Sequence, residues 1–223
     1  MPMGPLEITA LHRKLGWHYH DFCLFHQAIY AQIRERESTL KSLIAENKTF
    51  LSASLNDEWE AVQQARLRDT VYIYNQENKS MALFADQLAI IGLWTMVEQY
   101  CGRTLIEAEN QTSKRRRTRV APYKWSELCN RFIVIGLKLP DCKSYNVVNE
   151  CRVLNNKIKH VGAVDAELAK FSRYTRFAGC SIDEVEIDTQ LYANSTFEFV
   201  TCVMEATGDA LRAALAPGTK LFF

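Results

Sequence analysis

Apolar residues recur at three- and four-residue steps over most of this chain, the spacing of one face of an α-helix. The first run, Phe22, Phe25, Ile29, Ile33, Leu40, Leu43 and Phe50, predicts a long helix from about Trp17 to Leu51, with Arg34, Glu35, Arg36 and Glu37 on its solvent side. At 1.5 Å per residue it would reach roughly 45 Å, the spine of a helical bundle. Asn56 is the expected N-cap of the next segment, followed by Asp57 and Glu58, with Trp59 and Val62 opening an apolar stripe. Tyr72 to Ser80 is polar and reads either as a turn or as a helix surface. A second strong helix is expected from Met81 to Leu105. It is apolar nearly all round between Leu88 and Val97, the mark of a central, buried element.

Beyond it the pattern breaks over Glu107 to Val120, which carries Ser113 and a dense basic run, and Pro122 closes the break. Trp125, Leu128, Phe132, Ile135 and Leu139 define a third helix stopped by Pro140 and Asp141. A fourth is expected from Ser144 to Val161, with Val147, Cys151, Leu154, Ile158 and Val161 as its apolar face and Gly162 just past its end. In the segment Ala163 to Leu191, Val185, Ile187 and Thr189 alternate with acids, which hints at a short strand. The last helix is expected to open at Ser195, with Glu198 at capping-box spacing, and to carry Phe197, Val200, Met204, Leu211 and Leu215. Together these elements predict an all-α bundle of about five main helices in a single domain over residues 1–223. A basic loop at 108–122 and at most one short β-hairpin near 180–191 complete it.

Composition narrows this further. With 48% hydrophobic residues the chain can form a core, and with only 9 Gly and 5 Pro it lacks the turn residues a sandwich or barrel requires. The net charge is +1, so any nucleic-acid binding must come from a local patch. The 7 Cys contain no CxxC pair, which argues against a disulfide framework or a Cys-rich zinc site and for a reduced, cytoplasmic protein. No signal-like segment precedes Ile8. The apolar stretch Leu88 to Val97 is about half the roughly 20 residues a spanning helix needs, so no membrane partner is expected.

The informative segment is Asn149-Glu150-Cys151-Arg152-Val153-Leu154-Asn155-Asn156-Lys157-Ile158-Lys159-His160. At about 100° per residue, Arg152, Asn156 and His160 follow one another at i, i+4 and i+8, with Asn149 just below, opposite the apolar face. A cation, an amide and an imidazole are thus stacked on one rigid stripe. An imidazole, with an unperturbed pKa of about 6.5, suits proton transfer, and a guanidinium suits charge building on a phosphate. The structural alternative is the polar face of any surface helix, with Lys157, Lys159 and His160 complementing the helix dipole at its C-terminal end.

The stripe resembles the ribonuclease motif of the HEPN superfamily, in which an Arg precedes a His late in a helical bundle. The match runs from Arg152 to His160 with Asn156 between them, in the phrase Asn155-Asn156-Lys157-Ile158-Lys159-His160-Val161-Gly162. This resemblance implies a metal-independent endoribonuclease of a toxin or antiviral defence type, with no cofactor. Its site would be composite, formed by Arg152, Asn156 and His160 at a homodimer interface, and an antitoxin or regulatory protein would be a further partner. It also admits a catalytically silent bundle that binds a partner protein or a nucleotide.

Lys114, Arg115, Arg116, Arg117 and Arg119, with Lys159, are the candidate RNA-binding cations, and Tyr123 and Trp125 are candidate stacking residues beside them. The alternative is a solvated loop with Trp125 in the core. His18, His20 and His26 do not form a metal site on a helix, because positions 18 and 20 diverge by about 200°. Gly-rich phosphate loops and nucleophile elbows are absent, which excludes P-loop NTPases, Rossmann enzymes and α/β-hydrolases.

Overall fold

The structure, a computed structural model, describes residues 6–55, 57–112 and 120–215. Within them the chain forms α1 (Leu6–Glu46), α2 (Lys48–Ser52), α3 (Glu58–Thr112), α4 (Trp125–Val134), α5 (Tyr145–His160) and α6 (Thr189–Leu215). The expected all-α class holds, and the strand hinted at near 180–191 does not form. That segment instead holds a 3-10 turn, Ile182–Glu184, and the β-pairing among the described residues is one isolated bridge, Ala163 to Ser181.

Several boundaries differ from the sequence expectation, each for a local reason. Helix α1 starts at Leu6, eleven residues before Trp17. Asn56 lies outside the described residues, but Asp57 caps α3: its Oδ1 accepts from the Glu60 N–H at 3.0 Å. Tyr72 to Ser80 is continuous helix, and α3 runs for 55 residues, so the first part of the expected 108–122 loop is helical. The third helix ends at Val134 rather than Leu139, because Gly136 turns back at φ +88°; Leu139 sits in a separate 3-10 turn, Leu139–Asp141. Ser195 lies in the second turn of α6 rather than at its start. Asp188 caps that helix, its Oδ1 accepting from the Leu191 N–H at 3.0 Å.

The chain divides into two compact units. The smaller, Cys23–Leu88, is a hairpin of α1 and α3 lengths closed by α2. Its buried apolar residues are Ile33, Leu40 and Ala85, and polar links join its helices. Asp86 accepts from Tyr30 at 2.8 Å and lies 3.2 Å from His26, while Arg36 reaches Asn78 at 2.9 Å and Glu77 at 2.5 Å. At the closed end, Gln64 and Arg68 donate to the Phe50, Ala53 and Leu51 carbonyls at the C-terminal end of α2.

The larger unit holds the cores that position α5. In one, Trp94, Val97, Tyr100, Cys101 and Leu105 of α3 meet Leu128 and Phe132 of α4 and Phe199, Val200 and Val203 of α6. In the other, Ile90 and Leu93 meet Cys151, Val153 and Leu154 of α5, and Val164, Leu168, Tyr174, Ile182 and Tyr192 from the chain that follows. By length and composition alone, α3 contains one 18-residue window apolar enough to cross a membrane, longer than the Leu88 to Val97 stretch suggests; a third of it is buried inside the fold.

Candidate functional site

Helix α5 ends as its sequence requires. Val161 and Gly162 both donate to the Lys157 carbonyl, at 3.1 and 2.8 Å, and Gly162 takes the left-handed conformation at φ +67°. The chain then folds back over the helix. Val164 is bonded across this return in both directions, its N–H donating to Cys180 O at 3.0 Å and its carbonyl accepting from Gly179 N–H at 2.9 Å. The burial that results wraps more of α5 than a single apolar face. Val148, Glu150, Cys151, Val153, Leu154, Asn155 and Lys157 are all buried, whereas Val161 is exposed and Val147 and Ile158 are half-buried. Three of the seven carry polar or charged ends, which is why the predicted face is incomplete.

The predicted stripe is open to solvent only at its C-terminal end. Arg152, Asn156 and Asn149 are half-buried and His160 is exposed. Arg152 is held from both sides: its Nε donates to Asn149 Oδ1 at 3.0 Å, and its Nη2 lies 3.9 Å from Glu167 Oε1. Asn156 Oδ1 accepts from the buried Asn155 at 3.4 Å. His160 makes no hydrogen bond among the described residues, and nothing bonds it to Arg152 or Asn156. The structure therefore places the three on one stripe and anchors only the Arg.

Two charged clusters beside the stripe escaped the sequence reading. Lys157, read there as a surface cation, is buried, and its Nζ sits 2.7 Å from Glu167 and 2.8 Å from Asp165. These bonds, Asp165 first, raise the Lys157 pKa above its ordinary value. The same ammonium, together with the Leu168 and Glu167 N–H groups, lowers that of Asp165. Glu167 thus bridges Lys157 and Arg152, so the return segment supplies the counter-charge to these two of the α5 cations. On the buried side, Glu150 Oε1 accepts from Tyr192 at 2.6 Å, the Tyr174 and Tyr192 hydroxyls are 2.5 Å apart, and Arg173 approaches Glu150 at 3.5 Å. Burial pushes both tyrosines well above their usual range and pushes the Cys151 thiol up to about 12. Glu150 was legible in one respect, since it stands three residues after Val147 and four before Leu154, within the apolar face. The ambiguous return segment gave no signal for its partners.

Lys114, Arg115, Arg116, Arg117 and Arg119 lie outside the described residues. Of the aromatic residues beside them, Tyr123 is 96% exposed, whereas Trp125 packs on Trp94 and Phe199 and belongs to the core. Trp125 is therefore not a stacking platform, and Tyr123 is the one of the pair whose ring is open. Lys159 is exposed on α5. Tyr100 holds His18 at 2.7 Å and Asp86 lies beside His26, so these imidazoles have separate partners, and no metal-binding cluster of His, Cys, Asp or Glu occurs among the described residues. Comparison of the chain with protein-family models, with curated proteins and with solved structures finds no match.

Proposed function

We propose that this chain is a metal-independent endoribonuclease of the HEPN type, with Arg152, Asn156 and His160 as its site and a second copy completing the cleft. The observation that carries the reading is the unequal setting of the two ionisable groups. Arg152 is fixed by Asn149 and Glu167, so its guanidinium is held in place before substrate arrives. His160, two turns along the same stripe, is exposed and uncommitted, as a group that must give and take protons requires. In the proposed reaction His160 removes the proton of a ribose 2′-hydroxyl, whose oxygen attacks the adjacent phosphate. The P–O5′ bond breaks, a 2′,3′-cyclic phosphate remains, and the imidazole of the second copy protonates the leaving oxygen. Arg152 stabilises the charge that builds on the phosphorane. Lys159 and the cations at 114–119 would hold the RNA backbone, and Tyr123 would stack on an unpaired base.

The test is cleavage of single-stranded RNA in EDTA by wild type, Arg152→Ala and His160→Ala, with light scattering to read assembly. The expected result is a dimer that cuts RNA, leaves 2′-deoxy substrate intact and loses about a hundredfold or more activity in either variant while keeping its melting temperature. A monomer removes the composite site. A wild type that never cuts RNA removes the nuclease reading.

A further inference from the structure

The turn that leads into α5 is fastened to one turn of α6 by contacts converging on two cysteines. Lys143 N–H donates to Cys202 Sγ at 3.4 Å, which sets that sulfur against the backbone immediately after Cys142. Cys142 belongs to the buried core against which Cys202 packs. One turn earlier on α6, Glu198 accepts from Lys143 Nζ at 2.9 Å and from Ser144 Oγ at 2.7 Å. The turn itself is tightly specified: Cys142 N–H closes on the Leu139 carbonyl at 3.0 Å, and Ser144 is the non-glycine residue with positive φ, at 63°. Two thiols sixty positions apart in sequence are thus brought together, Cys142 buried and Cys202 half-buried.

We propose that Cys142 and Cys202 form a peroxide-sensitive dithiol that closes to a disulfide and fastens the start of α5 to α6. Cys202 is the more accessible of the two residues and its sulfur accepts from the Lys143 N–H, so it is the one that meets peroxide first. Its sulfur forms an S–O bond with hydrogen peroxide, the O–O bond breaks, and the leaving hydroxide takes the thiol proton as water. The Cys142 sulfur then attacks the Cys202 sulfenic acid. The S–S bond forms, the S–O bond breaks, and hydroxide leaves with the Cys142 proton as a second water. Two thiols lose two electrons in all, and one peroxide is reduced to two waters. Burial, with Cys202 beside it, pushes the Cys142 thiol up to about 12, so it is not the sulfur that peroxide oxidises first, and its attack on the sulfenic acid is the slower step. Cys101 and Cys129 lie in the same core; Cys101 is sealed from solvent and Cys129 is half-buried, and these are the competing partners.

The folded full-length protein is treated with hydrogen peroxide, alkylated, digested and mapped by mass spectrometry. The expected product is a Cys142–Cys202 cross-linked peptide that dithiothreitol reverses, with the oxidised protein melting about 5 °C or more above the reduced form. Cys202→Ser should abolish both effects. Cys142→Ala should leave a Cys202 sulfenic acid that dimedone traps, and this readout stands even if the first variant folds poorly. Cross-links to Cys101 or Cys129, links between two chains, unreacted Cys202, or a cross-link without a rise in melting temperature would each overturn the proposal.

Discussion

Helix α3 contributes to both units, and its two lengths meet very different surroundings. From Ala89 to Ala108 it seals Ile90, Leu93, Val97, Tyr100, Cys101 and Leu105 from solvent and half-buries Ile91, Met96 and Ile106. From Glu58 to Leu88 its buried residues are Gln64, Asn78 and Ala85, while Trp59, Val62, Ile73, Phe84 and Leu88 stay exposed, Trp59 at 68% and Phe84 at 63%. The residue types are alike. Val62, Ile73 and Phe84 even recur at eleven-residue intervals, three helical turns, and so share a face. What differs is the number of neighbours. In the larger unit α3 meets α4, α5, α6 and the return segment, whereas in the hairpin it has one partner helix, which can cover one side only. The hairpin is therefore joined by hydrogen-bonded pairs, Asp86 with Tyr30 and Arg36 with Glu77 and Asn78, of which the exposed Arg36–Glu77 pair contributes little in contact with water. Burial, not helix propensity, separates the two regions.

Matched deletions in the two lengths of α3 should break or confirm this most sharply. Leu93→Ala empties a fully buried site and should cost about 3–5 kcal/mol in chemical denaturation. Ile73→Ala, on the exposed face of the hairpin, should cost within about 0.5 kcal/mol. Similar losses at both positions would mean that the hairpin face is covered in solution, and the contrast between the units would fail.

A second pair of variants sharpens the contrast for polar groups. Glu150→Ala removes a buried acceptor and leaves the Tyr192–Tyr174 hydroxyl pair with one donor unmatched in the interior, which should cost about 2–3 kcal/mol. Glu150→Gln keeps an acceptor and should recover part of that loss. In the hairpin, Glu77→Ala breaks an ion pair with Arg36 whose groups are partly in water and should cost within about 1 kcal/mol. Equal costs would show that the Glu150 network is solvated and does not organise α5.

These pairs also show where the chain could be read in advance. The α5 stripe was legible because helical periodicity alone places Arg152, Asn156 and His160 on one arc, of which the fold leaves His160 exposed and the other two half-buried. Its anchoring was not legible: Glu167 and Asp165 come from a segment without periodicity, and only the backbone return over Gly162 brings them to Arg152 and Lys157. The polar run Tyr72 to Ser80 left a turn and a helix surface both open, because no apolar face singles out the helix there, and in the structure its Glu77 and Asn78 are the cross-links. Ser195 and Glu198 matched a capping box by spacing, but Asp188 supplies the cap and Glu198 serves Lys143 and Ser144 instead.

The smallest expected effect concerns Lys157, whose two carboxylate partners are largely exposed. Its pKa is raised in the folded state, chiefly by Asp165 and then Glu167, so its stabilisation is fully present below the ordinary lysine value of about 10.4. It is lost as pH climbs past that value through the raised one. Asp165 behaves in the opposite sense. Its pKa is lowered, chiefly by Lys157, so its contribution is present above the ordinary carboxylate value of about 3.9 and is lost as pH falls through the lowered one. The buried tyrosines also lose stability above about pH 10, so the wild-type profile alone does not isolate Lys157. The difference between wild type and Lys157→Met does, because the tyrosines are common to both. Followed by thermal melting, that difference should be a plateau of a few degrees between about pH 5 and 9 and should shrink at both extremes. A difference independent of pH would show that Lys157 stabilises α5 through its methylene chain alone. Arg152 would then be the cation that the return segment's carboxylates hold.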